Sequence, residues 1–95
     1  MITVTGPLWL WTGERGTWHF MTVPEEQSAE IHAHCLAKLR GFKSTRVEAT
    51  INGVSWRTSV FPVKSGGYFL PVKKEVRCRA EIGAGDEVTV ELELL

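Results

Sequence analysis

Apolar and polar residues alternate along most of this chain, and the pattern is cleanest near its end. From Glu87 to Leu94, Val88, Val90, Leu92 and Leu94 fall on one side, and Glu87, Thr89, Glu91 and Glu93 on the other. That two-residue period is the mark of a strand with one buried face. Thr45–Ile51 and Val54–Val60 alternate in the same way around Asn52-Gly53. Asn-Gly between two β-rich runs predicts a hairpin, because a type I′ turn needs positive φ at both central positions. Counting outward pairs Ile51 with Val54, Ala49 with Trp56 and Val47 with Thr58 on a largely apolar face. Thr50 then meets Ser55, Glu48 meets Arg57 and Arg46 meets Ser59 on a polar one. Turn chemistry and alternation select the same register. Glu48 and Arg57 read as an exposed cross-strand ion pair before they read as a polar site.

The remaining segments are less regular. Ile2–Thr12 predicts a strand bent or bulged at Gly6-Pro7, since proline removes a ladder donor. In its second half Leu8 and Leu10 point one way, Trp9 and Trp11 the other. Gly13-Glu14-Arg15-Gly16 is a turn, and Thr17–Val23 returns with Trp18, Phe20 and Thr22 opposite His19, Met21 and Val23. Pro24-Glu25-Glu26 opens a helix, with proline suited to the first helical position and acids at the positive end of the dipole. The helix should run to about Leu39 and stop near Gly41. Ile31, Cys35 and Leu39 form its apolar stripe, with Ser28, His32 and Leu36 beside it. After the hairpin, Phe61-Pro62 ends a strand, Lys64–Gly67 turns, Tyr68–Leu70 is a short strand, and Pro71 stops it or starts the next element. Val72–Arg79 fits two helical turns with Val72 and Val76 on one face. Gly83-Ala84-Gly85-Asp86 is a turn that Asp86 stabilises. The elements describe one domain over residues 1–95, mainly β with one main helix and one short helix.

Composition changes this picture little. The chain has 95 residues, 43% apolar and 23% charged, enough for a modest core. No run of 18 apolar residues predicts a membrane helix. The N-terminus lacks the leader pattern of a signal peptide, so cytoplasmic residence is expected. Net charge is zero but uneven: residues 41–80 carry eight Lys/Arg against two acids, and residues 81–95 carry five acids and no base. An acidic last strand beside the basic middle would neutralise it. Cys35 and Cys78 lack Cys-x-x-Cys spacing and predict two separate thiols.

With these elements placed, the order LWLWTGERGTWHFMTVP, RGF with VEATINGVSWRTSVFP, GGYFLPVKKEVR and GDEVTVEL resembles a bacterial domain-of-unknown-function family across nearly the whole chain. The resemblance implies a double-split β-barrel, sometimes carried beside a YdeI/OmpD-associated domain, and brings no established activity. Tyr68-Phe69-Leu70-Pro71, Val72–Arg79 and Gly85–Val90 also resemble the strand–helix–strand unit of AbrB-like swapped-hairpin proteins, which dimerise and bind DNA.

Candidate chemistry is sparse. His32 and Cys35, three apart, are too few for a metal site without Cys78, His19 or a glutamate. Neither cysteine sits in a recognised nucleophile motif. Gly66-Gly67 and Gly83-x-Gly85 lack the strand–loop–helix context of a phosphate loop. No cofactor is expected.

Four tryptophans in 95 residues are many. Core packing is the first explanation for them; an aromatic cleft or a subunit interface is the second. The candidate ligand residues are Trp9, Trp11, Arg57, Phe61, Lys64, Tyr68, Lys73 and Arg77, with the cations serving an anionic or polar ligand. The leading function is a non-enzymatic module binding a small molecule or protein partner, with homodimerisation open and no membrane involvement. A nucleic-acid-binding regulator is second, and a small enzyme of unspecified class third.

Overall fold

In the computed structural model, residues 2–14, 16–37, 44–63 and 67–95 are described. The alternating segments become β1 (Ile2–Gly13), β2 (Gly16–Val23), β3 (Thr45–Ile51), β4 (Val54–Pro62), β5 (Tyr68–Pro71) and β6 (Glu87–Leu94). Two helices interrupt them, α1 (Glu25–Ala37) after β2 and α2 (Lys74–Ala80) after β5. The strands close in the order β1-β2-β5-β4-β3-β6, and every pairing is antiparallel. Among the described residues the protein is thus mainly β with two helices, as its pattern predicts, and a closed antiparallel barrel, as the family resemblance implies.

The β3–β4 register is the one that counting outward from Asn52-Gly53 predicts, from Ile51↔Val54 to Thr45↔Val60. Asn52 and Gly53 have φ of 49° and 80°, the left-handed pair that a type I′ turn requires. Asn52 does a second job there: its Nδ2 donates to the Ala80 carbonyl at 2.9 Å, tying the hairpin tip to the end of α2.

Gly6-Pro7 is where β1 changes partners. Ile2–Pro7 pairs with β6, and Leu8–Gly13 pairs with β2. β4 is shared in the same way, along most of its length with β3 and at Phe61-Pro62 with β5. One strand serving two sheets lets a twisted sheet close without exposed long edges.

The core is the inward half of each alternation. Val4, Leu8, Met21, Val47, Ile51, Val60, Leu70, Val90 and Leu92 are fully buried. On α1, Ile31 and Ser28 are buried. The Ser28 hydroxyl donates to the Val23 carbonyl at 3.0 Å and accepts the Tyr68 N–H at 3.2 Å, so its burial leaves no unpaired group. Pro24 precedes the helix rather than opening it, and its carbonyl accepts the Ser28 N–H. The predicted helix end at Leu39–Gly41 lies outside the described residues, as do the side chains of Cys35 and Leu36. Val72 likewise precedes α2, and Val72, Val76 and Ala80 pack into the core together. Asp86 Oδ2 accepts the Gly83 N–H at 2.8 Å, closing the expected turn.

Two expectations hold only in part. Three of the four tryptophans stay out of the core, Trp11 and Trp18 half exposed and Trp9 partly covered, while Trp56 is partly buried and packs against it. Trp9, Trp11 and Trp18 occupy the outward parity of their strands, where no second layer covers them among the described residues. The acidic strand does lie beside the basic segment, along β3, but no ion pair joins the two among the described residues. β6 lies between β1 and β3, where Glu93 faces Glu48 and Glu91 faces Thr50. Among the described residues, the one ion pair is Arg57 Nε to Glu48 Oε1 at 3.6 Å.

Candidate functional site

The outward parity of β1, β2, β5 and β4 carries an aromatic ladder. Antiparallel pairing sets Trp9 opposite Phe20 and Trp11 opposite Trp18. It also sets Phe20 opposite Pro71, Thr22 opposite Phe69, and Phe61 opposite Phe69. The rings meet in sequence: Trp9 tilts against Phe20 with centroids 5.0 Å apart, Phe20 meets Phe69 edge-on at 4.8 Å, and Phe69 stacks on Phe61 at 5.6 Å. These are favourable aromatic geometries. Trp9 Nε1 donates to Thr22 Oγ1 at 2.9 Å, which satisfies the indole N–H and holds the ring across the two strands.

Toward the β1–β2 turn the ladder continues into Trp11 and Trp18, 51% and 50% exposed. Gly13 makes the position of Trp11 possible, because a Cβ there would overlap the indole at Cη2 and Cζ3. Together these rings line a groove of about 1020 Å³, bordered on the α1 side by Pro24 and Glu25 and floored near its middle by Tyr68.

A second cleft, about 480 Å³, adjoins the first and shares Trp18 and Pro71 with it. Its origin is the shortness of β5. That strand ends at Pro71, pairing only with Phe20–Val23 and with Phe61-Pro62. Thr17–His19 of β2 and Trp56–Thr58 of β4 therefore flank the place where the chain leaves the wall for α2. Arg57, Lys73, Lys74, Arg77 and His19 line this opening.

Arg77 is held on both sides: its Nε donates to the Val72 carbonyl at 3.3 Å, and Nη1 lies 3.3 Å from His19 Nε2. A guanidinium can only donate, so Nε2 is the acceptor and a neutral His19 carries its proton on Nδ1. Partial burial, and then the charge of Arg77, hold His19 below its ordinary value of 6.5.

The structure divides the predicted site residues. Trp9, Trp11 and Phe61 enter the groove, and Arg57, Lys73 and Arg77 enter the basic cleft. Tyr68 is fully buried, because its inward parity in β5 makes it part of the core; it reaches the groove only as floor. Lys64 lies outside the described residues. Trp18, Phe20, Phe69, Lys74 and His19 belong to these two clefts and were absent from the candidate set. Parity marks the first two: Trp18 and Phe20 alternate onto one side of β2, and a hairpin over Gly13–Gly16 brings them opposite Trp11 and Trp9. No group of three or more metal-ligating side chains gathers among the described residues, and no helix among them is long and apolar enough to cross a membrane.

A closed barrel with split strands, one aromatic outer face and a basic opening beside it defines a small β-barrel domain with two adjoining surface clefts. Residues 5–92 match the family described as Domain of unknown function (DUF1905), and the chain belongs to that family. No curated protein matches it.

Proposed function

We propose that this domain is a non-enzymatic binding module whose aromatic groove takes a small molecule with an apolar, ring-containing body. The observation that carries the reading is the four-strand ladder Trp9–Phe20–Phe69–Phe61, extended by Trp11 and Trp18 and left uncovered. Folding a barrel requires apolar residues at inward positions only, so outward rings at neighbouring positions of four strands are surplus to the core. A large exposed apolar patch of this kind marks a recognition surface. Its volume lies at the upper end of the range of small-molecule sites, and rings with few polar groups are their usual lining. Among the described residues that line the groove, Glu25 is the one carboxylate and there is no His, Cys or Lys, which supports binding over acid–base or nucleophilic chemistry. A nucleic-acid reading draws less support: the cations collect in one opening rather than along the aromatic platform, where a bound strand would need them.

The test uses N-phenyl-1-naphthylamine, an uncharged fluorophore that brightens in apolar sites. The expected result is saturable binding to the wild type, weakened about tenfold by Trp11→Ala or Trp18→Ala and unchanged by Glu91→Ala on the opposite face. Binding insensitive to either tryptophan would refute the reading. A loss of probe binding at high protein concentration, together with a dimer mass, would assign the groove to a second copy of the chain.

A further inference from the structure

The basic cleft has an electrostatic imbalance that the groove does not explain. Arg57, Lys73, Lys74 and Arg77 come from β4, the β5–α2 turn and α2, and the side chains lining the cleft include no carboxylate. Lys73, Lys74 and Arg77 have no acidic partner within ion-pair distance among the described residues, and the Arg57–Glu48 contact is a long, exposed one. Exposed pairs of that kind hold their partners weakly, which leaves Arg57 available. The ionised side chains of the opening thus all present donors, and like cations held together favour an anion between them. The opening also adjoins the groove directly: Trp18 and Pro71 are walls of both.

Resting on the groove reading above, we infer that the two clefts form one site for an acidic amphiphile. Its ring-containing body lies on the aromatic ladder. Its single anionic group, a carboxylate, sulfonate or phosphate, passes Trp18 and Pro71 to reach Lys73, Lys74, Arg57 and Arg77. The apolar part supplies burial, and charge-assisted hydrogen bonds fix orientation and select the anion over a neutral analogue.

A matched pair of probes tests this. 8-Anilinonaphthalene-1-sulfonate has the same rings as N-phenyl-1-naphthylamine with one sulfonate added. Wild-type protein should bind the sulfonate about tenfold more tightly than the neutral probe, and Lys73→Ala/Lys74→Ala should abolish that preference while leaving neutral-probe affinity within about twofold. Both lysines are exposed, so the double variant should keep the wild-type near-ultraviolet circular dichroism. Raising salt should weaken the sulfonate alone. If both probes bind equally, or the double variant weakens them equally, the inference is overturned while the groove reading stands. If only the sulfonate binds, and the lysines control it, the anion site holds and the groove reading fails. Binding of neither probe overturns both.

Discussion

The barrel has two outer faces built by one alternation rule from different residues. Along β6, β3 and the first half of β1, the outward positions are Thr3, Thr5, Arg46, Glu48, Thr89, Glu91 and Glu93. They meet in short polar contacts, such as Thr5 Oγ1 to Thr89 Oγ1 at 3.0 Å. Along β2, β5, the end of β4 and the second half of β1, the outward positions are Trp9, Trp11, Trp18, Phe20, Phe61 and Phe69. Strand β1 belongs to both and changes character at Gly6-Pro7, where it also changes partner. Both faces cover the same kind of core, so barrel closure does not account for the difference. The polar face does what a solvated sheet surface must, meeting water with polar groups and keeping the register defined. The aromatic face holds apolar area in water, which folding alone would remove.

The sharpest way to break this comparison is to truncate one residue on each face. Phe20 is partly buried and touches both Trp9 and Phe69, so Phe20→Ala should cost about 2–4 kcal/mol of unfolding free energy. Glu91→Ala should change it by about 0.5 kcal/mol or less. Urea denaturation measures both; equal losses would mean the faces are energetically alike. A smaller effect is expected at the hairpin tip. Gly13→Ala forces the Trp11 ring off its own strand, and because a flexible side chain can yield, the stability change should stay near about 1 kcal/mol. The readout is a red-shifted tryptophan emission with weakened binding of the neutral probe; an unchanged spectrum would show that Trp11 does not rest on Gly13.

The smallest effect is pH-dependent and belongs to the aromatic side of the barrel. Folding holds His19 below its ordinary value of 6.5, so below that pH the unfolded chain binds more protons than the folded one. Stability present above pH 6.5 is therefore lost as pH falls toward the depressed folded value. Melting temperatures followed from about pH 7.5 to 5 should drop less steeply for His19→Gln than for wild type. Parallel curves would remove His19 as a contributor.

Much of the scaffold was legible in the residues alone. Asn52-Gly53 and the alternation around it determined the β3–β4 register, down to Glu48 opposite Arg57. Val88, Val90, Leu92 and Leu94 declared the inward face of β6. Gly6-Pro7 marked the place where β1 changes partner, and Asp86 its turn. These features depend on neighbours in sequence: a turn's φ angles, a strand's parity, a proline's missing donor. The site was only half legible for the opposite reason. Trp9 and Trp11 shared a side in the sequence, but an outward tryptophan and a buried one have the same parity until the layers are counted. Only barrel closure showed that this side has no covering layer among the described residues, and only the strand order placed Phe69 and Phe61 beside Phe20. The basic cleft is more remote still. It exists because β5 stops at Pro71 and leaves β2 and β4 unbridged, which gathers His19, Arg57, Lys73, Lys74 and Arg77 from segments up to 58 positions apart. Local chemistry chose the strands and their faces; the closing of the barrel decided which faces meet, which stay bare, and where the charges collect.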